Sequence, residues 1–304
     1  MASTRPLVAV SLMGVTGNAQ FSGNGSVLTY SGGLTGSLNL VADAQGVPPL
    51  NKACLDSGAT GSSMRTAMAS TGTLGVSHAT ASGSDLPVLL LDSAALAANN
   101  NLSVLQGSYT VLRYQHDTSS LPAQTRASYV SFTIDAAGNW GMCKNTPTCA
   151  TPTATGTLSA TAGSSTSFDL SAGGLVRAKA YLVGTGANRT LVMAEKDTGG
   201  GGVVSGLWLG VPKAAWNPVV GSYVLNSTDG QQNVIAASQQ NLVVGNQNRA
   251  LTADTPLQGI ATTTVADGTV NYLIASPSGL LVTANNTGNN FANGPAYFSF
   301  GVTP

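Results

Sequence analysis

The feature that most constrains this fold is a pair of matching bookends. Gly107-Ser108-Tyr109 opens a strand-rich stretch that closes on Gly206-Leu207-Trp208-Leu209-Gly210-Val211. Gly221-Ser222-Tyr223 opens a second, which closes on Tyr297-Phe298-Ser299-Phe300-Gly301-Val302. A stretch that starts and stops the same way twice points to a duplicated β-module. An inner echo agrees with this. Ala180-Tyr-Leu-Val183, a turn and Leu191-Val-Met-Ala194 resemble Asn271-Tyr-Leu-Ile274, a turn and Leu281-Val-Thr-Ala284.

Composition favours the same class. Only 8% of the 304 residues are charged, with a single Glu, Glu195, and five Lys. Polarity comes instead from Gly, Ser, Thr and Asn, which suit turns and strands better than helix interiors. At 42% the hydrophobic content is that of a chain with a real core, arranged in strand-length runs. We therefore expect an all-β protein: tandem antiparallel meander modules, each a small barrel or sandwich of about eight strands. The expected division is a looser β-rich N-terminal domain over 1–104, a first module over 105–214 and a second over 215–304. In the N-terminal part, Pro87 to Leu91 reads as a buried strand and Ser93 to Ala98 as a short helix capped by Asp92 or Ser93. Pro48 to Leu55 reads as an extended segment. Ser57 to Ser84, nearly all Gly, Ala, Ser and Thr, reads as a long loop.

A net charge of zero with scattered Lys and Arg argues against a nucleic-acid partner and is compatible with self-association. No apolar run reaches the length of a membrane helix, and Met1 to Pro6 lacks the apolar segment of a signal peptide. Cys143 and Cys149 flank a short polar loop that a disulfide would close, leaving Cys54 over. A zinc site is the rival for that pair, but His78 and His116 lie far away in sequence. The disulfide reading places the protein outside a reducing cytosol.

Several motifs invite chemistry. Cys54-Leu55-Asp56-Ser57-Gly58-Ala59-Thr60 resembles the active-site signature of aspartic proteases, and Asp197-Thr198-Gly199 offers a second triplet. That chemistry needs two carboxylates sharing one proton. Asp197 follows Glu195-Lys196 rather than an apolar pair, and the four-glycine run Gly199–Gly202 reads as a hairpin tip. The resemblance covers seven residues, and Asp56 is read as capping a turn. His116, Asp117, Ser119 and Ser120 suggest an acid–base pair beside a nucleophile, yet neighbours on a strand point to opposite faces. Arg177, Lys179 and Glu195 are expected to form a cross-strand ion pair that sets register. Tyr109, Tyr114, Tyr129, Trp140, Tyr181 and Trp208 fall in one module, as a core or as a candidate binding surface.

No catalytic, cofactor-binding or metal-binding residues are assigned, and no enzyme activity or cofactor is expected. The architecture is somewhat like lipocalin-type scaffolds. The scarcity of Lys and Glu resembles exported bacterial proteins. The expected function is a non-enzymatic surface, outer-membrane or secreted protein, compatible with a lipid anchor, that binds a host protein or glycan. The alternatives are a structural component of a particle or appendage, and a hydrolase built on Asp56.

Overall fold

The computed structural model describes residues 5–23, 25–40, 55–56, 64–119, 123–197, 204–285 and 296–304. It is built from three antiparallel meanders in succession. The first comprises β1 (Arg5–Ser11), β2 (Thr16–Phe21), β3 (Val27–Gly32), β4 (Ser37–Asn39), β5 (Leu55–Asp56), β6 (Arg65–Met68), β7 (Leu74–Ala81) and β8 (Ser84–Asp92). Two short helices follow, α1 (Ser93–Ala98) and α2 (Leu102–Leu105). The second meander is β9 (Gly107–Asp117), β10 (Gln124–Ile134), β11 (Asn139–Lys144), β12 (Ala154–Ala160), β13 (Phe168–Ala172), β14 (Leu175–Val183), β15 (Thr190–Asp197) and β16 (Val204–Pro212). The third is β17 (Gly221–Ser227), β18 (Gln232–Ala237), β19 (Asn241–Val244), β20 (Gln247–Ala250), β21 (Thr252–Ala253), β22 (Ala261–Thr264), β23 (Val270–Ser276), β24 (Leu280–Asn285) and β25 (Phe298–Val302).

All three share one topology. The first strand of each pairs with its last: β1 with β8, β9 with β16 and β17 with β25. Among the described residues, only the middle meander closes into a barrel; the first is open between β4 and β5 and the third between β20 and β21. The N-terminal segment thus repeats the plan of the other two, although it carries no Gly-Ser-Tyr opening.

The bookends have a mechanical basis. Gly107 and Gly221 take φ values of +151° and +157°, which L side chains rarely adopt. Each lets the next-but-one tyrosine tie the strand back to the chain before it. The Tyr109 hydroxyl donates to Leu105 O at 2.8 Å, and the Tyr223 hydroxyl donates to Val219 O at 2.6 Å. At the closing end, a Cβ on Gly210 would lie 2.9 Å from Val111 Cγ2, and one on Gly301 would collide with the Val224 carbonyl. Glycine there lets last and first strands come together. The inner echo lands on equivalent strands, β14–β15 and β23–β24, the third- and second-last of their meanders.

Most of the long strands alternate between two cores, while strands such as β4 and β12 leave one face exposed. One set of side chains fills the interior of its own meander: Leu7, Phe21, Leu28 and Leu90 in the first, Tyr109, Phe132, Trp140 and Trp208 in the barrel, Tyr223, Leu225, Leu273 and Leu281 in the third. The opposite set meets at the centre of the molecule, where Val76, Leu89, Leu91, Leu112, Leu209, Val282, Phe298 and Phe300 form a core shared by all three. Fully burying a Leu or Phe contributes about 1.5–3 kcal/mol, so this centre holds the meanders together. β1 packs on β16, β9 and β16 pack on β23, and β17 and β25 pack on β7.

Two-sided burial corrects the expected loop over 57–84. Residues 57–63 lie outside the described residues, but the remainder forms β6, β7 and the start of β8. Leu74 and Val76 face the central core while Ala79 and Ala81 face the first meander's interior. Small residues there fit a crowded strand rather than mark a mobile segment. Most of the extended segment Pro48–Leu55, together with Cys54, also lies outside the described residues. α1 starts as read, with Asp92 Oδ1 accepting from Ala95 N at 2.8 Å. α2, capped by Asn101, escaped the sequence reading; its Leu105 and Leu102 pack into the end of the barrel.

Buried polar side chains lock the meanders to one another. Asn226, on β17, accepts from Arg65 N at 2.9 Å and donates to Arg65 O and Ser77 O at 2.8 and 3.0 Å, so its amide bridges two strands of the first meander. Asn99 donates to Leu182 O and Gly184 O of the barrel at 3.2 and 3.0 Å. Thr190 of the barrel bonds Ser276 and Ser278 of the third meander at 3.1 and 3.2 Å.

Candidate functional site

The six aromatic residues considered as a binding surface do not form one. None is more than 8% exposed. Strand alternation divides them: Tyr109, Trp140 and Trp208 fill the barrel, while Tyr114, Tyr129 and Tyr181 face the central core. Tyr129 stacks on Tyr272 of the third meander with ring centroids 5.4 Å apart, and Tyr114 packs on Phe298 at 5.8 Å. They belong to the packing because each lies where its strand is covered by the barrel interior or by the central core. Burial raises the Tyr114 and Tyr181 hydroxyls to about 12.

The only glutamate is not in the expected cross-strand pair. Glu195 sits opposite Ala178, so its side chain enters the barrel, whereas Arg177 and Lys179 flank that position and point the other way. Lys179 instead approaches Asp169 at 3.7 Å. Inside the barrel Glu195 meets Arg113, which was not singled out in the sequence. Arg113 Nε donates to Glu195 Oε2 at 3.2 Å and Nη2 to Oε1 at 2.5 Å. Gln115 Nε2 reaches both carboxylate oxygens at 3.0 Å, and Trp208 Nε1 donates to Oε2 at 2.8 Å. The Arg113 guanidinium also lies 4.1 Å from the Trp208 ring centroid. Burial pulls the Arg113 pKa down and Glu195 opposes that shift.

Arg126 and Lys144 enter the same end of the barrel, with Arg126 Nε donating to Gln115 Oε1 at 2.6 Å. Burial first, then the neighbouring Arg126 and Arg113 charges, lower the Lys144 amine to about 8. This saturated network reads as a structural clamp. Its signal in sequence was the single Glu in a chain otherwise poor in charge.

The remaining motif residues are placed as follows. Cys143 and Cys149 are joined by a disulfide, with Cα atoms 5.5 Å apart, beside the Lys144 end of β11. Asp56 is on β5 in the first meander and Asp197 on β15 in the barrel, so the two triplets belong to different sheets. Nothing further of their side chains is described, and Gly199–Gly202 and Ser120 lie outside the described residues. Asp117 accepts from Ser119 N and Oγ at 2.8 and 2.5 Å, closing a local turn at the end of β9. These bonds hold the Asp117 carboxyl below its usual range. His78 is buried on β7 with Nδ1 2.9 and 3.0 Å from the two Asp85 carboxylate oxygens. Among the described residues, no three His, Cys, Asp or Glu side chains gather as a metal site.

What sequence reasoning missed is a cavity at the junction of barrel and third meander. The linker between β16 and β17 does not lie flat on the surface. Asp254, at φ +55°, accepts from Trp216 N at 2.9 Å and Gly259 N at 2.8 Å, pulling the linker against the third meander. Trp216 becomes 6% exposed. The space left between linker and barrel is about 680 Å³, within the usual size range of small-molecule sites. Trp216, Asn217, Gln239, Gln240, Pro212 and Pro277 contribute to its lining, and small residues such as Ala187 and Ala275 leave it open. No charged side chain lines it. The Trp216 indole N–H is buried and has no hydrogen-bond partner among the described residues. An orphaned buried donor costs about 1–3 kcal/mol. Gln239 Nε2 donates to Asn217 Oδ1 at 3.2 Å, leaving further amide capacity at the rim.

No helix among the described residues is long and apolar enough to cross a membrane. The chain matches no protein-family model, no curated protein and no solved structure.

Proposed function

We propose that the protein is a non-enzymatic binding protein working outside the reducing cytosol, and that its junction cavity receives a neutral, hydroxyl-rich ligand such as a glycan. The observation that carries this reading is the uncharged cavity of about 680 Å³ at the junction, lined by Asn217, Gln239 and Gln240 beside Trp216. Sugars are met in this way, with a ring face against an aromatic plane and hydroxyls on amide groups. The Cys143–Cys149 disulfide supports an exported setting, with or without a lipid anchor.

The test is a glycan array followed by titration of Trp fluorescence, with the wild type beside Gln239→Ala. The expected result is a neutral glycan that binds the wild type and loses about tenfold or more in the variant, which keeps Trp216 but lacks the rim amide. Absence of any neutral glycan ligand, or equal binding by the variant, refutes the reading.

A second reading, a structural component of a larger assembly, is favoured by one observation. Val220, Val234 and Val243 of the third meander are 71%, 53% and 36% exposed. That reading predicts concentration-dependent association by sedimentation, abolished by Val234→Lys. A strict monomer at all concentrations discards it.

A further inference from the structure

Lys144 is a member of the barrel-end cluster that the clamp leaves over. It faces the barrel interior from the end of β11, opposite Val130, which in turn neighbours Val111 on β9. The chain is fixed on both sides of it. Cys143 before it is held by the disulfide. Asn145 after it is tied to β10, its N–H donating to Tyr129 O at 2.9 Å and its Oδ1 accepting from Tyr129 N at 3.1 Å.

The Lys144 amine is half-buried, and its Nζ makes no hydrogen bond or ion pair among the described residues. The charges that act on it there are Arg126, Arg113 and Glu195, two cations against one carboxylate. Asp117 stands beyond Arg113 and Gln115 on the inward face of β9, and Asp197 is level with it across Val204. Both therefore lie toward the barrel mouth, away from the Val130 level of Lys144. Even with Glu195 counted in full, the ammonium form adds a third positive charge to a pair that one carboxylate does not balance.

Such an amine is a nucleophile, because neighbouring cations and burial both favour its neutral form. With its pKa lowered to about 8, about a quarter of it is neutral near pH 7.5, against about one in a thousand for an ordinary lysine. The same guanidiniums favour any reaction that turns the amine into an anion. Carbon dioxide does this. It needs no leaving group, and it is small enough to reach a half-buried nitrogen.

We propose that Lys144 is a carbon dioxide capture site, where the amine becomes a carbamate held by the charges of Arg126 and Arg113. The nitrogen lone pair forms the N–C bond, one C=O π pair moves onto oxygen, and the nitrogen gives one proton to water, leaving –NH–COO⁻. Three cations against Glu195 become two cations against two carboxylates, so the repulsion is replaced by balance. This inference stands apart from the junction cavity and from the glycan reading of it.

The experiment equilibrates the full chain with isotope-labelled bicarbonate at about pH 7.5, traps carbamates as esters with a trialkyloxonium salt and locates them by peptide mass spectrometry. Lys179, which lies 3.7 Å from Asp169, and the exposed Lys196 and Lys213 are internal controls. Lys144 is expected to carry at least about tenfold more label than any of the three. Lys144→Arg keeps the charge but should lose the labelled carbamate signal in the intact protein. Arg126→Gln should lower the label at Lys144 by at least about threefold, since it both restores the ammonium and removes a partner of the anion. No label at Lys144, or label spread evenly over the lysines, overturns the proposal. Unchanged label at Lys144 in Arg126→Gln also overturns it, because the neighbouring charge would then play no part.

Discussion

Replacing Glu195 by Ala tests the barrel clamp most directly. The carboxylate is 5% exposed and the Arg113 it holds is 7% exposed. Four donor groups converge on it: Arg113 Nε and Nη2, Gln115 Nε2 and Trp208 Nε1. Removing it leaves a guanidinium buried without its counter-ion, and breaking a buried pair from one side costs about 3–5 kcal/mol. Summing the bonds at about 1.5–3 kcal/mol each would exceed this, but bonds to one carboxylate are lost together and are not additive. We therefore expect about 3–5 kcal/mol, a large share of the roughly 5–15 kcal/mol that holds an ordinary domain folded.

The assay is urea unfolding followed by Trp fluorescence, since Trp208 donates into the network. The double variant Arg113→Met with Glu195→Leu discriminates the cause. If the cost of the single variant is an uncompensated charge, removing both charges should restore most of the loss, to within about 1–2 kcal/mol of wild type. A Glu195→Ala cost below about 1 kcal/mol, or a double variant as unstable as the single, would refute the clamp.

Three further outcomes follow from the structure. Asn226→Ala removes three bonds joining β17 to the Arg65 and Ser77 backbone of the first meander. A loss of about 2–3 kcal/mol is expected in the same unfolding assay, with hydrogen exchange rising at β6 and β7. Tyr109→Phe and Tyr223→Phe each delete one hydroxyl anchor, so each should cost about 1 kcal/mol; a loss in only one would show that the two bookends are not mechanically equivalent. For Lys144 the folded amine is lowered to about 8 from 10.5, so the unfolded chain binds more protons between those values. Stability from this group is thus present above pH 10.5 and is lost as pH falls through about 8. Lys144→Met should be more stable than wild type at pH 7, and the gap in urea midpoint should narrow toward pH 10.

How much was legible in the sequence depended on whether a signal was local. The Gly-Ser-Tyr openings, the closing strands and the Asp92 cap are short-range devices: a positive φ, a hydroxyl reaching back four residues, a carboxylate over a free N–H. In the first meander β6 and β7 were harder to see because they are built largely from Ala, Ser, Thr and Gly. Such residues carry weak alternation when both faces are buried, and no tyrosine anchor marks the start. The junction cavity left a trace only in Trp216, a tryptophan in a linker.

The chain's own pattern therefore settled an all-β protein of meandering modules with hairpin spacing, because strand period and turn chemistry act between near neighbours. Tertiary structure decided the rest. Among the described residues it closed one meander and left two open, and it turned the six barrel aromatics inward, three into the barrel and three into the central core. It also brought Arg113 and Glu195 together across 82 positions of sequence. Register fixes which face a side chain takes, and only the packing of one sheet on another fixes what that face meets.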